Sequence, residues 1–162
     1  MDGFKFGAQT GWATALAGVM LRDPLVRQAI RTCDALVPMP LHPLRLAERG
    51  YNQSLLLAQA LRRCTDREEK LDRHQAVVRH DWLLRIRNTQ AQSRLSLAQR
   101  LRNVRQAFAV AANQSSQLHG KRVVLVDDVM TSGASAQAAA QTLRTAGVHQ
   151  LRVVVFARTE KP

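Results

Sequence analysis

Cysteine is nearly missing from this 162-residue chain: Cys33 and Cys64 stand 31 positions apart, with no CxxC pair. That excludes a disulfide framework and a zinc site built on paired cysteines, and two reduced, buried thiols are expected instead. Aromatic residues are scarce as well, at 4%. A dedicated base-stacking platform needs more of them, so Trp12, Tyr51 and Trp82 read as packing residues. No apolar run approaches the roughly 18 residues that span a bilayer, and the opening MDGFKFGAQT lacks a basic-then-apolar leader. A cytoplasmic protein with no membrane segment is the expectation. Acids are few, 12 against 24 lysines and arginines, and residues 82–126 hold none while carrying eight basic side chains. The chain also has no GxxxxGK[ST], no GxGxxG after a strand, no HExxH and no GxSxG. These absences remove the P-loop, dinucleotide, zincin and nucleophile-elbow chemistries.

What is present points to one globular domain over residues 1–162, because 46% of the residues are hydrophobic and one core of this size is ordinary. Twenty of the 24 basic residues are arginines, and the net charge is +12. Arginine suits bidentate contact with phosphate, so polyanionic partners are implied: nucleic acid, or a substrate with several phosphates. The alternative, a merely solvated arginine-rich surface, accounts poorly for an acid-free segment.

Residues 8–21 (AQTGWATALAGVML) predict an amphipathic helix, with Leu16, Met20 and Leu21 among its apolar positions. Pro24 suits the first turn of a second short helix. ALVP, 35–38, predicts a buried strand that gives way to a proline-rich loop, MPLHPLRLAERG. YNQSLLLAQALRRC predicts a helix bearing Leu55, Leu56, Ala58 and Leu61, and the charged residues 65–73 are expected on the surface. DWLLRIRN alternates, with Trp82, Leu84 and Ile86 on one side and Leu83, Arg85 and Arg87 on the other, which predicts a strand. SLAQRLRNV predicts a helix with Leu97, Leu101 and Val104 on one stripe, AFAV a strand, and ANQSSQLHG a loop. RVVLV predicts a strand covered on both faces, ASAQAAAQTLRTAG a helix stopped by Gly147, and LRVVVFAR the last strand. The alternation of strand and helix argues for an α/β domain with a central, mainly parallel sheet flanked by helices. Ligands on such sheets sit beyond the carboxyl ends of strands, and Pro38 and Val126 are the ends so predicted.

The stretch VVLVDDVMTSGAS, 123–135, carries the chemistry. Neighbouring strand residues face opposite ways, so Asp127 and Asp128 both meet one ligand only if the chain is already turning. Carboxylates there can accept hydrogen bonds from sugar hydroxyls or hold Mg²⁺ through water. Thr131, Ser132, Gly133, Ala134 and Ser135 then offer hydroxyls and amides ahead of a helix, whose positive N-terminal end suits a phosphate. The plainer alternative is an aspartate cap in a Ser/Thr-rich turn. Arg45 and Arg49, in the proline-stiffened loop, suit the dense charge of a pyrophosphate, or are simply solvated. Gly50 there admits close approach or a positive φ. His42 reads as a hydrogen-bonding loop residue before an acid or base.

The same stretch resembles the loop that binds phosphoribosyl pyrophosphate (PRPP) in type I phosphoribosyltransferases, where two acids precede Thr-Thr-Gly-x-Thr. Ser132 and Ser135 stand where that pattern has threonine, and keep the hydroxyls. The chain also resembles the ComF/GntX-type competence protein family. VPMPLHPLRLAERGYNQSLLLAQAL is similar to that family's Pro-x-Pro-Leu-His, Arg, Arg-Gly-aromatic-Asn-Gln signature, and RIRNTQAQSRLSLAQRLRNVRQAF to its Arg-x-Arg-x-Thr-x-x-Gln-x-x-Leu, Arg-x-x-Asn, Ala-Phe signature. FKFG resembles the start of its catalytic domain. The resemblance implies a type I phosphoribosyltransferase fold and Mg²⁺-dependent displacement of pyrophosphate from C1 of PRPP. Asp127, Asp128, Arg85 and Arg87 would be the catalytic residues, with the two acids fixing the ribose and serving Mg²⁺. Residues 131–135 would hold the 5′-phosphate, and Arg45 and Arg49 the pyrophosphate. Arg85, Arg87, Thr89 and Gln92 would belong to a mobile catalytic loop, with Arg100 and Asn103 behind it. The implied setting is DNA uptake and natural transformation, with competence helicase-type partners. Full-length members usually open with a four-cysteine zinc ribbon, which these 162 residues lack. A second reading keeps PRPP as a signal and single-stranded DNA as cargo, without turnover. Arg100, Arg102 and Arg105 are its nucleic-acid candidates.

Overall fold

The computed structural model describes residues 3–68, 76–88 and 106–159. In chain order the elements are α1 (Gly3–Met20), α2 (Pro24–Thr32), β1 (Ala35–Pro38), α3 (Pro43–Arg49), α4 (Gln53–Glu68), β2 (Val77–Val78), β3 (Leu83–Arg85), β4 (Phe108–Val110), α5 (Ser115–Leu118), β5 (Arg122–Met130), α6 (Ala134–Thr145) and β6 (Gln150–Arg158). The helix expected over 96–104 lies outside the described residues, as do residues 69–73 of the charged stretch.

Strands β2, β1, β5 and β6 form one parallel sheet in that order. Its two middle strands are buried on both faces, as their unbroken apolar runs require. Leu36, Val124, Val126 and Val154 turn to one face, against Ala13, Ala17, Leu57 and Leu61 of α1 and α4. Ala35, Val37, Val123 and Leu125 turn to the other, against Ala139 and Leu143 of α6 and Phe108 of β4. Alanines on α1 and α4 let these helices lie close together over the sheet. Truncating a fully enclosed residue such as Leu125 to alanine costs about 2–5 kcal/mol. At the amino end of the sheet, Asp34 joins β1 to β5: its carboxylate accepts from the Arg122 backbone N–H (2.7 Å) and from Nη2 (3.0 Å). Cys33 is buried beside it, and burial pushes its thiol up to about 12, whereas Cys64 is only half-buried.

Several local expectations need correction. α1 begins at Gly3, five positions before the expected start. The loop between β1 and α4 contains α3, a seven-residue helix. Its caps explain it: His42 Nδ1 accepts from Leu44 N–H (3.3 Å), Pro43 sits in the first turn, and Gly50 closes it at φ 77°. α5 forms inside the expected loop 112–120 because it carries Leu118 into the core. In β3 the alternation is present, and the side bearing Leu83 and Arg85 is the covered one, although Trp82, just before the strand, is buried as well. Leu84 and Ile86 are exposed, while Arg85 is half-buried with its guanidinium 5.6 Å from the centre of the Phe108 ring. A two-residue period fixes which side chains share a face, not which face is covered.

Candidate functional site

β1 ends at Pro38, opposite Val126, but β5 does not end there. It runs on beside β6 as far as Met130, which pairs with Arg158. The expected turn at Asp127 is therefore deferred to residues 131–133, and the two acids lie on a strand end that has lost one neighbour. Met39 N–H still donates to Val126 C=O (2.8 Å). The next rung of a parallel ladder would join Asp128 N–H to Met39 C=O. Side chains replace it. Asn52 Nδ2 donates to Met39 C=O (3.0 Å), and Asp128 N–H turns to Asp127 Oδ1 (3.0 Å). Asn52 also opens α4, its Oδ1 accepting from Leu55 N–H (3.3 Å). In the first turn of the same helix, the buried Ser54 hydroxyl donates to Asp127 Oδ1 (3.0 Å).

Burial, with the neighbouring Asp128 charge, pushes the Asp127 carboxyl up to about 6, and the Ser54 hydrogen bond opposes that rise. Arg85 reaches the same neighbourhood from β3. Burial chiefly, and the charge of Arg45 next, hold its guanidinium below the usual arginine range, while Asp127 works the other way. Asp127, Arg85 and Arg45 thus share one electrostatic environment, and Asp128 adjoins it. On the other side of Met130, Gly133 caps α6 at φ 73°. A β-carbon there would be strained, and would stand 3.4 Å from Met130 Sδ. Ser132 Oγ accepts from Ala134 N–H at 3.4 Å, Ala134 is buried, and Thr131 is exposed. Ser135 begins the exit of the turn into the helix, half-buried.

Arg49 is exposed at the end of α3, with no described contact to this group. Arg87 is exposed too, and its Nη2 donates to Gln106 Oε1 (2.7 Å) across the mouth of the β3–β4 ladder. Thr89, Gln92, Arg100, Arg102, Asn103 and Arg105 lie outside the described residues. Among the described residues no group of three or more His, Cys, Asp or Glu gathers in a metal-holding arrangement. His42 hydrogen-bonds locally, as expected, but as the cap of a helix and not within a loop. Two residues that hold the site were given no role by the sequence reading: Asn52 was only part of a signature, and Ser54 carried no signal except being polar before Leu55, Leu56 and Leu57.

The family model for the phosphoribosyl transferase domain matches residues 69–162. The chain belongs to that family. It is 32% identical over 158 residues to "Competence protein F" of Haemophilus influenzae, covering 96% of this chain and 65% of the relative. It is 30% identical over 158 residues to "DNA utilization protein YhgH" of Salmonella typhimurium, covering 96% of this chain and 64% of that one. The chain therefore spans just under two thirds of the length of these relatives. Among solved structures, the glutamine PRPP amidotransferase of Bacillus subtilis matches with a TM-score of 0.51 at 19% identity, over 92% of this chain and 26% of that one. The fold is that of the type I phosphoribosyltransferases: a central parallel sheet flanked by helices. No described helix is long and apolar enough to cross a membrane.

Proposed function

We propose that this chain is a single phosphoribosyltransferase-type domain that binds PRPP with Mg²⁺ in the cytoplasm and passes its phosphoribosyl group to an acceptor. The observation that carries this reading is the strand end at Asp127. There a half-buried carboxylate, held from α4, shares its electrostatic surroundings with Arg85, on which Arg45 also acts, and the N-terminus of α6 follows in the chain. Asp127 accepts from one ribose hydroxyl and Asp128, passed over in the β5–β6 register and so released from strict strand alternation, from the other. The turn Thr131–Ser135 receives the 5′-phosphate with its amides and hydroxyls. Arg45 and Arg85 are like charges close enough to disfavour each other, and a pyrophosphate between them relieves that repulsion. Arg49, exposed at the end of α3, and Arg87, exposed just beyond β3, are assigned to the same pyrophosphate. Positive charge there favours departure of pyrophosphate as C1 gains oxocarbenium character.

Mg²⁺ fits this donor set in one way. Asp127 Oδ1 already accepts two hydrogen bonds, and no third acid joins the pair among the described residues. Such a sparse set suits an ion that keeps most of its water and takes substrate oxygens, held by Asp127 and Asp128 directly or through water. When bound, it supplies charge neutralisation for the departing pyrophosphate. Isothermal titration tests the reading. PRPP should bind with Mg²⁺, bind far more weakly in EDTA, and be lost in an Asp127→Asn, Asp128→Asn double variant. Undiminished binding by a folded double variant overturns the assignment.

A second reading draws on the acid-free segment 82–126 and on relatives named for DNA utilization and competence. The domain would bind single-stranded DNA beside helicase-type partners during DNA uptake, with PRPP as a signal. Fluorescence anisotropy should then fall steeply with salt, by about 0.7 in log–log slope for each phosphate neutralised. The slope should flatten when Arg100, Arg102 and Arg105 are replaced by alanine. Pyrophosphate release from PRPP supports the transferase, and tight binding of both ligands without release supports the carrier.

A further inference from the structure

A cavity of about 560 Å³ opens at the amino end of the sheet, lined by Arg79, Trp82, His119, Lys121 and Asp34 among others. Its strongest charges are already paired, Arg79 with Asp81 and Asp34 with Arg122, so it lacks the character of an anion site. The opposite end of the sheet carries more.

Among the described residues, Ser54 is the single polar residue in the buried set. Enclosing a hydroxyl is costly unless it finds a partner. Hydroxyls elsewhere in these helices take the local solution and donate to the carbonyl four residues back: Thr32 to Gln28, Thr65 to Leu61, Thr142 to Ala138. Ser54 does not. It lies in the first turn of α4 and reaches 73 positions along the chain to Asp127 Oδ1. That oxygen also receives the Asp128 N–H, so both of its hydrogen bonds come from within the protein. Two residues earlier, Asn52 joins the same turn of α4 to the end of β1.

We infer that Ser54 is a positioning residue for Asp127, fastening Oδ1 inward so that Oδ2 is the oxygen presented to the ribose hydroxyls of the phosphoribosyl donor. Because Asn52 fastens the strand that leads to Arg45, the first turn of α4 sets the spacing between the ribose acid and the arginine-bearing loop. This rests on the PRPP reading above for its ligand, but not for its geometry. The carboxylate is held in its working orientation before ligand arrives, so no ordering cost falls on binding.

The test combines a structure and a double-mutant cycle. In the ligand-free crystal structure of Ser54→Ala, the Asp127 carboxylate should leave its present rotamer or occupy two. An unmoved carboxylate overturns the inference. PRPP affinity with Mg²⁺ should fall about tenfold in Ser54→Ala, and Ser54→Thr, which keeps the hydroxyl, should restore most of it. In an Asp127→Ala background, where no carboxylate is left to position, Ser54→Ala should cause no further loss. A full additional tenfold loss there means that Ser54 acts elsewhere, and overturns the inference. Should Ser54→Ala alone fold poorly, the cycle made with Ser54→Cys, which keeps the size but offers only a weak thiol donor, serves the same purpose. If the parent binds no PRPP, the donor reading falls, and the rotamer result alone decides whether Ser54 positions Asp127.

Discussion

Asp34 and Asp127 stand at opposite ends of the same two strands, one just before Ala35 and the other just after Val126. Asp34 meets a guanidinium and an amide from Arg122, and the Arg122 hydrogen bond holds its carboxyl below the usual carboxylate range. Asp127 meets a serine hydroxyl and its neighbour's amide, and burial pushes it up to about 6. One acid spends its charge on joining strands. The other makes its hydrogen bonds with a hydroxyl and an amide, and burial outweighs what favours its charge, so that charge opposes folding. Local rules broken at one end of an otherwise consistent sheet mark the place where the fold serves something besides itself.

Ligand affinity should separate the two ends most strongly. Asp127→Asn should weaken PRPP binding about a hundredfold, in line with loss of hydrogen bonds to a charged group. Asp34→Asn should leave it within about twofold. Titration calorimetry on both variants checks this, and equal losses would erase the distinction.

Stability should separate them next, and with opposite sign. Asp127 has a folded value near 6, above its unfolded value near 3.9. The parent therefore loses stability as pH rises from about 4 to about 6, and keeps that deficit above it. Asp127→Asn removes the charge and leaves an oxygen for Ser54 and Asp128 N–H. In EDTA it should be more stable than the parent by about 1–3 kcal/mol at pH 8, with the gap closing by about pH 4. Denaturant melts across pH give the comparison. A variant less stable than the parent at pH 8 would show that the Asp127 charge is compensated after all.

The smallest effect belongs to Asp34→Asn. A depressed carboxyl contributes stability above its unfolded value and loses it as pH falls through the folded one. The variant should melt slightly below the parent at neutral pH, with the difference fading below about pH 4 and in high salt. The pair is partly exposed, which keeps the effect modest. A difference that persists unchanged in acid would mean that the Arg122 contacts act through shape alone.

How much of this was legible in the sequence depended on how far apart the partners lie. Asp127, Asp128 and the turn at 131–135 are contiguous, so one quoted stretch held them. The buried middle strands were legible for the same reason, since their apolar runs are unbroken. α3 was missed although its signals are local, because His42, Pro43 and Gly50 equally describe a loop until the caps are seen to close. Arg85 was placed on the correct side of its strand, but only the Phe108 ring shows that this side is the inner one. Ser54 was invisible, since nothing near it in the chain hints at a carboxylate 73 positions away.

The short ladder of β3 and β4 carries a consequence for how this family can change. Leu83–Arg85 and Phe108–Val110 are paired in register, and Ile86 N–H to Ala107 C=O and Arg87 to Gln106 continue the junction outward. The two ends of the segment 89–105 are thus clamped by residues outside it, next to Arg85. Once ends are fixed, chain length between them matters little: doubling a flexible connection costs only about 0.6 kcal/mol. A domain built this way can vary the length of chain between its two clamps while the parallel sheet keeps its register.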